Sequence, residues 1–93
     1  MVLGGHFDSV SGLSGANDNA SGTAVLLVIT ELLADVDLPD TLKIVPFGSE
    51  ELGLLGSRFY VQELSSAGLE NTKLMLNFDA LSTGPGVTIF GDG

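Results

Sequence analysis

His6 stands two residues before Asp8 in His6-Phe7-Asp8-Ser9, directly after a short apolar run, and it is the only histidine among the 93 residues. Three further pieces bring metal-binding residue types to an edge: Asn17-Asp18-Asn19-Ala20-Ser21-Gly22, Glu50-Glu51-Leu52-Gly53 and Asn77-Phe78-Asp79. One imidazole with several carboxylates is a donor set suited to a divalent metal ion. In an extended chain, residues two apart project to the same face. Asp8 is thereby expected to accept the second imidazole N–H of His6, which fixes the tautomer that offers the other nitrogen to a metal.

A fold must gather these pieces. Residues 2–6 read as a buried strand that runs into a Gly/Ser/Asn loop over 9–19. Residues 20–34 carry helical spacing and are apolar around most of the circumference, which predicts a largely buried helix. Pro39 marks a turn, residues 42–47 a second strand, and the chain from 50 or 52 to 64 a second helix. Residues 72–78 read as a third strand, and 87–90 as a fourth strand at a sheet edge. This alternation predicts an α/β unit with a mainly parallel sheet covered by helices. In an open parallel sheet the carboxyl ends of the strands line one crevice, where ligands bind. His6, Glu50, Glu51 and Asp79 all follow strands, and Asp18 lies in the loop returning from that edge.

Bulk properties agree with such a site. Lys43, Arg58 and Lys73 oppose twelve acids, for a net charge of −9. That balance argues against nucleic acid and anionic membranes, which require basic patches. Converging carboxylates repel one another unless a cation lies between them. There is no cysteine, so disulfides and thiolate ligands are excluded and the compartment is left undetermined. The longest apolar stretch is far too short to span a bilayer. The first residues lack a basic segment and a long apolar run, so no signal peptide is expected.

Each residue also has a plainer role. A histidine at a strand end is commonly a hydrogen-bonded structural residue. Asp18 and Asn19 suit a helix N-cap. Glu50 and Glu51 suit the positive end of a helix. Asp79 suits a turn, and Asp8 an Asx turn. These roles are independent of one another, whereas a single metal site accounts for all the positions together.

The motifs Gly5-His6-Phe7-Asp8-Ser9, Gly15-Ala16-Asn17-Asp18-Asn19-Ala20-Ser21-Gly22, Phe47-Gly48-Ser49-Glu50-Glu51-Leu52-Gly53-Leu54-Leu55-Gly56-Ser57 and Asn77-Phe78-Asp79 closely resemble, in order, those of the zinc-dependent M28 aminopeptidases. The resemblance implies part of a zinc-exopeptidase fold, a three-layer helix/sheet/helix arrangement. It implies that His6 and Asp79 bind one zinc, Asp18 bridges two, and Glu51 binds the second. Glu50 would be the general base and acid, with Asp8 orienting His6. The implied reaction is removal of N-terminal residues from peptides; many relatives are secreted.

The match is incomplete. The family's second zinc takes another histidine from beyond the position of Asp79, and no histidine follows His6 here. The family domain also has strands ahead of the His-x-Asp strand and further elements after it. Residues 1–93 are therefore expected to be a truncated catalytic domain, with three protein ligands for one metal and only Asp18 and Glu51 for the other. Its exposed sheet edges favour self-association. The alternatives are a one-metal relative, such as the glutaminyl cyclases that share the fold, or a non-catalytic metal-binding or interaction domain. The intact Asn-Asp-Asn loop and the Glu pair rank the peptidase first.

Overall fold

The computed structural model describes residues 1–91. Its elements run β1 (Val2–His6), a kinked helical turn (Ala16–Ser21), α1 (Gly22–Leu33), β2 (Lys43–Phe47), α2 (Leu55–Gln62), α3 (Ser66–Asn71) and β3 (Met75–Asn77). The three strands form one parallel sheet in the order β2-β1-β3. Every residue of β1 is buried, as a central strand requires. Pro46 lies in β2 opposite Gly5. A proline has no N–H to give a second neighbour, so it belongs on an edge strand such as this one.

Alternation along β1 separates two helical layers. A Cβ on Gly5 would touch Leu26 of α1, whereas one on Gly4 would meet Phe47 and Met75 on the other face. Phe47 in turn packs edge-on against Tyr60 of α2, with ring centroids 5.7 Å apart. Helix, sheet and helix are thus stacked as expected, and the α/β class with its parallel sheet is observed.

The core is small. Val2, Leu3, Leu26 and Phe47 are its buried apolar residues. The accessible surface is 6823 Å², against roughly 5,100 Å² for a compact chain of this mass. Helix α1 departs from the expected burial for this reason: only Gly22 and Leu26 are buried in it, while Leu27 and Leu32 are 67% and 70% exposed. A single sheet covers one side of the helix, and among the described residues nothing packs on the other.

Three further differences bear on the sequence reading. Residues 87–90 do not form the expected fourth strand; Ile89 and Phe90 are 89% and 90% exposed. An apolar alternating run becomes a strand only where a neighbour accepts its ladder, and β3 offers just three residues. The second helix begins at Leu55, not at 50 or 52. Ser49, Gly53 and Leu54 take positive φ values of 57°, 105° and 61°, which no helix tolerates. Finally, residues 66–71 form α3, capped by Ser65, whose Oγ accepts from the Gly68 amide at 3.1 Å.

Candidate metal centre

The strand order makes the site. From β1 the chain moves to β2 on one side, then crosses to β3 on the other, so the carboxyl end of β1 lies where the connections diverge. Open parallel sheets bind ligands at such a point. His6 is the last residue of β1, Glu50 lies three residues beyond β2, and Asp79 two beyond β3. Asp18 enters from the kinked turn before α1.

These groups meet at one imidazole. His6 is only 3% exposed, and its Nε2 lies 3.0 Å from Asp18 Oδ1, 3.5 Å from Asp79 Oδ1 and 4.0 Å from Glu50 Oε2. The other ring nitrogen, Nδ1, donates to the backbone carbonyl of Asp8 at 3.1 Å. A carbonyl only accepts, so in the neutral ring this bond keeps the proton on Nδ1 and leaves Nε2, which faces the carboxylates, free to ligate a cation. The backbone is held as well, because the Thr23 hydroxyl donates to the His6 carbonyl at 3.1 Å.

Asp8 acts differently from the expectation. Its carboxylate is the more distant neighbour of Nδ1, at 3.5 Å. Instead, Oδ1 accepts from the Glu50 amide at 3.0 Å and Oδ2 from the Glu51 amide at 3.2 Å. Asp8 therefore orients His6 through its main chain and the Glu pair through its side chain. Nor do Glu50 and Glu51 sit at a helix start. They occupy a tight turn closed by the Gly53 and Leu54 amides donating to the Glu50 carbonyl, both at 2.9 Å. The helix-dipole explanation of their position is replaced by a tertiary tie to Asp8.

The loop carrying Asp18 is fastened to the exit of β3 by three side chains for which local sequence predicts at most a helix cap. Asn19 does cap α1, its Oδ1 accepting from the Gly22 amide at 2.9 Å. It also donates to the Phe78 carbonyl at 2.8 Å and accepts from the Ala80 amide at 3.2 Å. Ser21 Oγ accepts from Leu81 at 2.9 Å, and Asn17 Oδ1 from the Ser82 amide at 2.9 Å. The local signal was Asn-x-Asn-x-Ser itself; their partners lie about sixty residues away and could not be read from it.

Charge and burial oppose each other here. Burial alone draws the His6 imidazole toward its neutral form, but Asp79, Glu50 and Asp18, with the Asp8 carbonyl, outweigh it and raise its pKa above 6.5. Burial likewise raises Glu51, and the neighbouring Asp18 and Glu50 charges raise it further. For Asp8, burial raises the pKa, yet the amide bonds from Glu50 and Glu51 overcome it and hold the carboxyl below its usual range.

The residues fit a divalent cation. His6, Asp18 and Asp79 bring three ligand atoms within 4.8 Å of one another, and so do His6, Glu50 and Glu51. Among the described residues, Glu51 Oε1 is a buried oxygen without a hydrogen-bond partner. A buried carboxylate oxygen left bare, in a cluster of like charges, is what a bound cation would satisfy. An open cavity of about 190 Å³ borders the cluster, with His6 and Glu50 on its wall beside Phe47, Leu54 and Met75.

A parallel α/β sheet with a buried histidine and carboxylates gathered at its strand ends defines an α/β unit with a candidate metal site. The chain matches the model of peptidase family M28 over residues 1–93 and belongs to that family. It is 44% identical over 78 residues to aminopeptidase YwaD of Bacillus subtilis (strain 168), covering 84% of this chain and 17% of that protein. It is 39% identical over 83 residues to leucine aminopeptidase 2 of Trichophyton equinum and to probable leucine aminopeptidase 2 of Aspergillus oryzae, covering 89% of this chain and 17% of each. The chain thus spans about 17% of the length of these relatives. Among the described residues no helix is long and apolar enough to cross a membrane.

Proposed function

We propose that this chain carries metal-binding and proton-transfer residues of a zinc-dependent aminopeptidase that removes N-terminal residues from peptides. The observation that carries the reading is the set around His6 Nε2, with Asp18 at 3.0 Å, Asp79 at 3.5 Å and Glu50 behind them at 4.0 Å. His6, Asp18 and Asp79 would hold one zinc, while Asp18 and Glu51 would contribute to a second. Zinc bound there supplies Lewis-acid polarisation of the scissile carbonyl and lowers the pKa of the attacking water.

The chain's own residues do the rest. Asp8 keeps Nδ1 of His6 protonated, so that Nε2 remains a ligand. Its carboxylate holds the Glu50 amide, so Glu50 faces the crevice from a fixed turn. Glu50, adjacent to the ligands without being needed as one, takes the water's proton and passes it to the leaving amine. The α-ammonium group of a peptide meets a crevice lined by acids, which favours a free N-terminus.

A one-metal site is the second reading. It is favoured by the geometry of the two groups: His6, Asp18 and Asp79 make a sufficient set, whereas the group of His6, Glu50 and Glu51 draws on the same imidazole. Metal analysis and turnover separate the two. Two zincs per chain with hydrolysis of an aminoacyl chromogenic amide support the aminopeptidase; one zinc without turnover supports the alternative. Glu50→Gln should abolish turnover and leave the zinc content unchanged, and activity surviving that substitution would sink the assignment of the base.

A further inference from the structure

Asn19 is the one large side chain less than 2% exposed among the described residues, and it is polar. Its three hydrogen bonds are distributed unusually. The Phe78 carbonyl belongs to the peptide before Asp79, and the Ala80 amide to the peptide after it. One side chain thus grips both peptide groups flanking Asp79. The same residue is covalently next to Asp18, and its Oδ1 also receives the first amide of α1. Ala80, at φ 49°, stands in the left-handed region where a non-glycine residue needs such a hold.

From this geometry we infer that Asn19 is a positioning residue that sets the separation of Asp18 and Asp79 across His6 Nε2, with Ser21 as an outer tie. The inference rests on the metal-site reading above. The two carboxylates come from loops about sixty residues apart and repel each other, so something must hold their backbones together before a cation arrives. Asparagine meets the demand because it presents a donor and a two-way acceptor at once. An ionised aspartate could not donate to Phe78, and serine is too short to reach both peptides. A residue that merely capped α1 would need only the Gly22 bond.

Cobalt(II) titration tests this, with affinity read by competition against a chromophoric chelator and ligand geometry read from the visible absorption band. The variants are Asn19→Ala, Ser21→Ala and, as a control, Ser65→Ala, which loses the α3 cap far from the site. Asn19→Ala should weaken cobalt binding by about 10–100-fold, the range for supporting partners of metal ligands, and alter the band. Ser21→Ala should weaken it less, and Ser65→Ala should leave both readouts at wild-type values. Should Asn19→Ala not fold, by far-UV circular dichroism, Ser21→Ala decides. Wild-type affinity and spectrum in folded Asn19→Ala, or in Ser21→Ala if it stands alone, overturn the positioning role while the metal site stands. A wild-type chain that binds no cobalt overturns the metal reading itself, and this inference with it.

Discussion

Replacing Gly22 by alanine sets a local gain against a tertiary loss. Gly22 opens α1 with φ −65° and ψ −41°, ordinary helical values that alanine adopts without strain. Helix propensity alone favours the substitution by up to about 1 kcal/mol. The new methyl, however, would overlap the Phe78 carbonyl oxygen and Asn19 Oδ1 and lie 2.8 Å from Asn19 Nδ2. Two of these atoms form the Asn19–Phe78 bond, and Oδ1 receives the Gly22 amide. Relief means losing both bonds, at about 1–3 kcal/mol for each bond lost. Subtracting the helical gain leaves a net loss of about 1–5 kcal/mol, set against a total near 5–14 kcal/mol for a chain of this length. Urea denaturation followed by far-UV circular dichroism should show a lower midpoint at unchanged slope. In an Asn19→Ala background the loss should shrink without vanishing, since the Asn19 contacts are gone while the Phe78 carbonyl oxygen remains in the way. A Gly22→Ala chain as stable as wild type would refute the clash, and an undiminished loss in the Asn19→Ala background would refute its route through Asn19.

Other expectations follow from the same contacts. His6 gives a single imidazole resonance, and in the metal-free chain its NMR titration midpoint should lie above 6.5. Folding favours the protonated ring, so its contribution to stability is complete below pH 6.5 and disappears as pH rises through the folded value. Zinc, which needs the neutral ring, should gain affinity over that same rise; a midpoint at or under 6.5 contradicts the carboxylate cluster. Asp8 has the opposite sign: its depressed pKa contributes stability above pH 3.8 that is lost as pH falls through the lower folded value. Asp8→Asn keeps a single acceptor for the two Glu amides, so the acid limb of its stability curve should be flatter than wild type. Self-association is expected at the free edge of β3, because the β2 edge carries Pro46 and Lys43 whereas Met75 and Leu76 are exposed. Sedimentation should show a concentration-dependent mass that Leu76→Lys reduces, and an unchanged profile would exclude that edge.

How much of this was legible beforehand varies by element. β1 was read to its residues, because Val2-Leu3-Gly4-Gly5-His6 is an unbroken buried run ended by a polar residue and a loop. The parallel α/β order followed from alternation of strand and helix, and the convergence of His6, Asp18, Glu50, Glu51 and Asp79 followed from the strand ends. The start of α2 was misread because Glu50-Glu51-Leu52 has good helical propensity, while the turn it forms depends on Asp8, more than forty residues earlier. The strand expected at 87–90 failed because pairing is a property of two segments and only one was in view.

The sequence by itself determined the donor types, their order and their attachment to strand ends, since those depend on composition and on short-range periodicity. It also determined that these residues offer the site one imidazole and no thiolate. The tertiary structure alone decided how the donors are held. Asp8 reaches Glu50 and Glu51 across 42 and 43 residues, and Asn19 reaches Phe78 and Ala80 across 59 and 61. Such bonds leave no local periodicity in the chain, because each needs a buried acceptor that comes near only when the sheet has formed.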